Sequence, residues 1–252
     1  MEDSIDTVFV SGLWFIDNNK KNSVNHYWKY LPRSLNILQG REIYFYTDNE
    51  YIKNQVYELC RENNITLNLR HKRVEDLDKF NYRDRFLKSV EKYGLEIADR
   101  PLDFNREKGL AHYWRDYLDS GIDCYKSVLT IWHSKIDLLC ECYAEDQRKC
   151  YSWVDASISR FESQIANLNS VILNNAGATP CLYDSLMKKN GELLECSAHY
   201  IYTPSDQLML LKNLYDARFE LMVDEAFPND EEIVLSSIFK SNPNLINIIR
   251  RA

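Results

Sequence analysis

The chain has 252 residues, 45% hydrophobic and 27% charged, with 38 acidic against 31 basic side chains and a net charge of −7. That is the composition of a soluble globular protein, long enough to bury the core of a single α/β domain over residues 1–252 without disulfides or a structural metal. An acidic balance argues against general nucleic-acid binding, which needs basic groups to neutralise phosphates, and no apolar run approaches the ~20 residues of a transmembrane segment.

The seven cysteines include no CxxC pair and read as reduced thiols of a cytoplasmic protein. The start, MEDSIDTVFV, lacks the basic and apolar regions of a signal peptide. No GxGxxG, P-loop, HExxH or GxSxG occurs, which removes the usual support for dinucleotide binding, triphosphate cradling, zinc hydrolysis and serine hydrolysis.

DTVFVSGLWF (residues 6–15) reads as a first strand. A helical apolar spacing follows through Val24, Tyr27, Trp28, Leu31, Leu35 and Leu38, with Pro32 expected to kink or break it. REIYFYTDN (41–49), EYIKNQVYELCREN and ITLNLRHK continue as strand, helix and strand, the alternation of a parallel sheet covered by helices. Helical spacing recurs in VEDLDKFNYRDRFLKSVEKY and EKGLAHYWRDYLDSG, then in one continuous pattern from about Ile122 to Ala144. The strand CYSWVD ends at Asp155, and an irregular stretch leads to one or two strands in GELLECSAHYIYTP (191–204). SDQLMLLKNLYDARFELMVDEA and NDEEIVLSSIFKSNP complete a helical C-terminal part, each opened by a Ser or Asn/Asp cap.

Ligands of open α/β sheets bind beyond the carboxyl ends of the strands, so residues at those ends carry the candidate chemistry. Asp155 is the foremost, read either as a functional carboxylate or as a turn residue. Lys135, in a mostly apolar helix beside Trp132 and Ile136, either snorkels to solvent or faces an anion. Arg160 is a second positive group near Asp155 or a structural ion pair. Trp14 and Phe15 end the first strand as stacking surfaces or as core. Asn229 or Asp230 is placed to cap a helix whose dipole Glu231 and Glu232 complement. His199 reads as a structural histidine or as a site residue.

The order of DTVFVSGLWF, IYFYTDN, IWHSKIDLL, SWVDASISRF and NDEEIVLSSIF resembles the WlaTC/HtrL/YibB-like family of bacterial surface-polysaccharide proteins, and IWHSKIDLLCECYAEDQRKCYSWVDAS resembles the unit before the DxD motif of GT-A glycosyltransferases. The resemblance covers most of the chain. It implies a GT-A-like, Rossmann-type α/β fold with a mostly parallel central sheet flanked by helices. It also implies transfer of a hexosyl or pentosyl group from a nucleotide-diphosphate sugar donor, such as a UDP sugar, to a hydroxyl of a glycan or glycoconjugate acceptor in polysaccharide biosynthesis.

By this resemblance Trp14, Thr47, Asp48, Lys135 and Arg160 contact the donor, Asp155 holds a divalent metal, Mn²⁺ or Mg²⁺, and Asp230, with Glu231 next, deprotonates the acceptor. The position two residues beyond Asp155 is Ser157, where the pattern leads one to look for a second carboxylate. That departure motivates the alternative of a non-catalytic nucleotide- or glycan-binding or assembly protein on the same scaffold.

Overall fold

A computed structural model describes residues 6–19, 24–88, 91, 120–165, 167–175, 177–189, 191–224 and 230–250. Most of the helix expected in EKGLAHYWRDYLDSG lies outside these residues, as do the end of the preceding helical pattern, Glu225 and Asn229.

The first half alternates as its patterning predicts: β1 (Thr7–Gly12), α1 (Val24–Asn36), β2 (Glu42–Thr47), α2 (Glu50–Glu62) and β3 (Thr66–His71). Then come α3 (Ile122–His133), α4 (Lys135–Glu145), β4 (Cys150–Val154), a 3₁₀ turn at Ile158–Phe161, α5 (Leu168–Asn174) and β5 (Cys181–Tyr183). A small hairpin of β6 (Lys188–Lys189) and β7 (Glu192–Leu193) precedes β8 (Ser197–Pro204), α6 (Ser205–Met222), α7 (Glu231–Ser241) and β9 (Asn247–Ile249).

Seven strands form one sheet in the order β3-β2-β1-β4-β8-β5-β9. β1, β2, β3 and β4 pair in parallel, as do β5 and β9, while β8 runs antiparallel to both its neighbours. The fold is therefore the expected α/β class, a mostly parallel sheet flanked by helices. Strand periodicity divides the core between the two faces. Val8, Val10, Tyr44, Tyr46, Tyr151 and Trp153 point to the side covered by α3, α4, α6 and α7. Phe9, Ile43, Phe45 and Val154 point to the side covered by α1, α2 and α5.

Four local expectations are corrected. Pro32 does not break α1, because burial of Leu31 and Leu35 on either side of it holds the turn despite the missing N–H. The continuous helix from Ile122 is two helices that meet at Ser134. There the Ser134 hydroxyl donates to the Thr130 carbonyl and the Thr130 hydroxyl to that of Lys126, each at 2.8 Å, and such back-bonding bends helices. α6 begins after Pro204 with no side-chain cap, whereas α7 is capped by Asp230 as its sequence indicates. The stretch read as irregular contains α5 and β5; β5 and β9, at three residues each, are too short to show a period.

Candidate functional site

The chain enters β2 on one side of β1 and returns as β4 on the other, so the carboxyl ends of β1 and β4 flank the crevice where the strand order reverses. β8 begins at the same edge, since Val154 pairs with Tyr200 and the Asp155 amide donates to the His199 carbonyl at 2.9 Å. A cavity of about 360 Å³ opens there. Its wall includes Trp14, Lys135, Asp155, Arg160, Asp230 and Glu231. Six of the eight site residues singled out from sequence are thereby brought together from β1, α4, the loop after β4 and the start of α7.

The interruption at Ser134 makes Lys135 the first residue of α4. Its side chain is almost wholly buried, and its ammonium donates to Asp155 Oδ1 at 3.0 Å, Glu231 Oε1 at 3.0 Å and the Ala198 carbonyl at 2.9 Å. Three protons thus meet three oxygens. Burial pulls the Lys135 pKa down, but Asp155 and Glu231 more than reverse this, so it is raised and the group is a permanent cation. A buried lysine at a helix N-terminus is disfavoured both by desolvation and by the helix dipole, so these carboxylates are what make the position tenable.

Asp155 Oδ1 also accepts the Trp153 indole N–H at 2.7 Å. Burial pushes its carboxyl up, yet Lys135 and then Arg160 pull it net below the ordinary 3.8. Arg160 is placed by the 3₁₀ turn, which Ser159 anchors to α1: its amide donates to the Ser34 hydroxyl at 3.1 Å and its hydroxyl to the Tyr30 carbonyl at 3.0 Å. The guanidinium lies over the Phe161 ring and reaches Asp155 Oδ2 only at 3.9 Å, and its buried Nε has no hydrogen-bond partner among the described residues. Arg160 lines the cavity and is about a third exposed, whereas the Lys135 ammonium is fully engaged.

Asp230 is buried and its Oδ1 accepts the Ile233 amide at 3.1 Å, so the capping role is real, while the same residue lines the cavity. Glu232 Oε1 accepts the Ala198 amide at 3.2 Å, which ties α7 to β8. Trp14 is only 4% exposed, a core residue whose edge reaches the cavity and whose indole N–H donates to the Lys72 carbonyl at 2.7 Å. A Cβ on Gly12 would lie 2.6 Å from that ring, so glycine at the end of β1 is what admits the indole.

Thr47 and Asp48 stand at the same sheet edge but are not among the residues lining this cavity. Thr47 is fully buried and its hydroxyl accepts the Asn49 amide at 3.2 Å, while the Asn49 side chain caps α2. The Asp48 carboxyl is raised, chiefly by burial. His199 lines the cavity, stacked between Phe161 at 4.1 Å and Tyr183 at 5.6 Å centroid separation. Sequence reasoning missed Tyr27, Phe161 and the Ser185–Leu186–Met187 segment that also line the wall. The last of these follows β5, which carries no periodic signal to mark a strand end.

The groups around Asp155 do not fit a resident divalent ion held by the protein. Among the described residues no cluster of three or more His, Cys, Asp or Glu side chains has the geometry of a metal site. One of the two Asp155 oxygens, Oδ1, already bonds an ammonium and an indole, and the next candidate position is the buried Ser157. Elsewhere in the molecule none of the seven cysteines is joined in a disulfide, and no helix among the described residues is long and apolar enough to cross a membrane.

No protein-family model and no curated protein matches this chain. Among solved structures it is similar to a glycosyltransferase involved in the glycosylation of the major capsid of PBCV-1, at 10% identity and a TM-score of 0.40, covering 97% of this chain and 81% of that one. It is similar to residues 1–349 of S. aureus TarS at 11% identity and a TM-score of 0.37, over 97% of this chain and 58% of that one. A third is the 4-diphosphocytidyl-2C-methyl-D-erythritol synthase of Anaerococcus prevotii DSM 20548, at 8% identity and a TM-score of 0.33, over 99% and 90% of the respective chains.

Proposed function

We propose that this chain is a glycosyltransferase that moves a sugar, hexosyl or pentosyl, from a nucleotide-diphosphate donor to a hydroxyl of a glycan or glycoconjugate acceptor. The observation that carries the reading is the mixed charge of one cavity at the strand-order reversal, lined by the Arg160 guanidinium and by the helix-start carboxylates Asp230 and Glu231. In this reading the donor lies along the carboxyl edge of the sheet, with its diphosphate toward Arg160. Arginine suits that task, because its fork matches phosphate oxygens and its charge persists at all working pH. Trp14 and Phe161 bound the apolar part of the site, and Thr47 and Asp48 extend the same edge toward the base or ribose.

Transfer requires that the acceptor hydroxyl lose its proton and that the leaving diphosphate be stabilised as its charge grows. Asp230 is the acceptor-side base of this reading and Glu231 the next candidate. Glu231 is already engaged by the Lys135 ammonium at 3.0 Å, which ranks it behind Asp230 in this reading. The resemblance of the motif order to the WlaTC/HtrL/YibB-like family supports the same reaction class with a surface-polysaccharide acceptor.

The test is thermal stabilisation by a panel of nucleoside diphosphates and nucleotide sugars, UDP and its sugars among them, followed by release of nucleoside diphosphate with and without glycan acceptors. A selective rise in melting temperature is expected, because a ligand of the native state stabilises it. Absence of any such rise across the panel defeats the reading. The engagement of both Asp155 and Glu231 by Lys135 favours one alternative, a non-catalytic nucleotide- or glycan-binding protein. That reading predicts binding without acceptor-dependent release.

A further inference from the structure

The cluster around Lys135 has the form of a cation site whose cation is built into the chain. Two carboxylates from separate elements, the loop after β4 and the start of α7, converge on one point with a backbone carbonyl from β8. Charged oxygens gathered at one buried point are what a hard divalent ion requires. Here the point is held by an ammonium at 3.0 Å from each carboxylate, a separation proper to N–H···O bonds and longer than the ~2.0–2.6 Å of Mg²⁺ or Ca²⁺ ligation. A second cation brought against Asp155 would meet this fixed charge at short range in a poorly solvated site, with Arg160 beyond it.

We propose that Lys135 takes, as an internal and permanent cation, the place between Asp155 and Glu231 that a divalent metal would otherwise hold, so that the site engages a nucleoside diphosphate without Mn²⁺ or Mg²⁺. The nucleotide half of this statement rests on the proposed function; the exclusion of metal does not. Lys135 is then a positioning residue, fixing both carboxylates, and Arg160 supplies the donors that the ligand phosphates meet.

The experiment uses the full chain and Mn²⁺ as the probe. Calorimetric or electron-spin titration of the wild type with Mn²⁺ alone should show no saturable binding, and UDP affinity should be equal in EDTA and in Mn²⁺. Lys135→Met removes the ammonium and leaves Asp155 facing Glu231, so this variant should gain saturable Mn²⁺ binding and a Mn²⁺-dependent rise in melting temperature that the wild type lacks. Saturable Mn²⁺ binding by the wild type, or a gain of roughly tenfold or more in UDP affinity with Mn²⁺, overturns the proposal. So does a folded Lys135→Met that takes up no Mn²⁺. If Lys135→Met does not fold, the wild-type titrations decide alone. If UDP does not bind at all, the proposed function fails while the ligand-free Mn²⁺ titration still judges the metal.

Discussion

The ammonium of Lys135 lies 3.0 Å from Glu231 Oε1, so the first residue of α4 is bound to the first residue of α7. At the start of α7 the glutamate is favoured by the helix dipole, and at the start of α4 the lysine is disfavoured by it. The pair therefore transfers part of the cost of one helix end to the advantage of the other, and its loss should be felt in stability before it is felt in chemistry.

Glu231→Gln keeps the side-chain shape and leaves the buried Lys135 with one carboxylate, which should lower stability by about 1–3 kcal/mol. Asp230→Asn retains a capping oxygen for the Ile233 amide, so its change should be well under about 1 kcal/mol. If Asp230 is the base, the same variant loses about 10² to 10⁴ in transfer rate with donor affinity unchanged. Melting curves, nucleotide affinity and acceptor-dependent turnover measured on both variants decide it, and normal turnover by Asp230→Asn reduces Asp230 to a cap.

Acid should loosen the site in a way traceable to Asp155. Its folded carboxyl lies below the ordinary 3.8, burial being outweighed by Lys135 and Arg160. A depressed folded pKa contributes stability that is present above the unfolded value and is lost as pH falls through the folded one. Melting temperature should therefore drop as the pH is lowered below about 4. The drop should be shallower in Asp155→Asn, which starts less stable at neutral pH. Equal slopes for the two proteins would show that Asp155 is not the group responsible.

Arg160→Ala should separate binding from folding. The side chain is about a third exposed and its one ion pair among the described residues spans 3.9 Å, so removal should cost little stability. Charge-assisted bonds of about 1.5–3 kcal/mol to a diphosphate correspond to a loss of roughly 10- to 100-fold in nucleotide affinity. Titration calorimetry against UDP measures this, and an unchanged dissociation constant moves the phosphate away from Arg160.

Gly12→Ala tests whether the cavity floor depends on the Trp14 indole. The added methyl would sit 2.6 Å from the ring, so the indole must move and its bond to the Lys72 carbonyl must lengthen or break. Overpacking of this kind costs typically about 1–3 kcal/mol. A lower melting temperature together with altered tryptophan emission is expected; a variant indistinguishable from wild type in both would show that the ring has room.

The strand–helix alternation through residue 71, the buried strand ending at Asp155 and the Asp230 cap were legible in the sequence, because each rests on local periodicity or on a side chain bonding a backbone group three residues away. The sequence also marked Lys135, Asp155, Asp230 and Glu231 as separate candidates. It contained nothing to say that one ammonium would join Asp155 to Glu231. Nor did it show that the helix through Ser134 would bend, that β5 and β9 would close the far side of the sheet, or that Thr47 and Asp48 would stand off the cavity. Those outcomes depend on contacts between residues far apart in the chain. A buried charge is tolerable only where a partner of opposite sign arrives from elsewhere, and no local pattern records which partner that is. Tertiary structure alone brings the loop after β4, the first turn of α4 and the start of α7 to one point, and the state of charge of the site follows from that meeting.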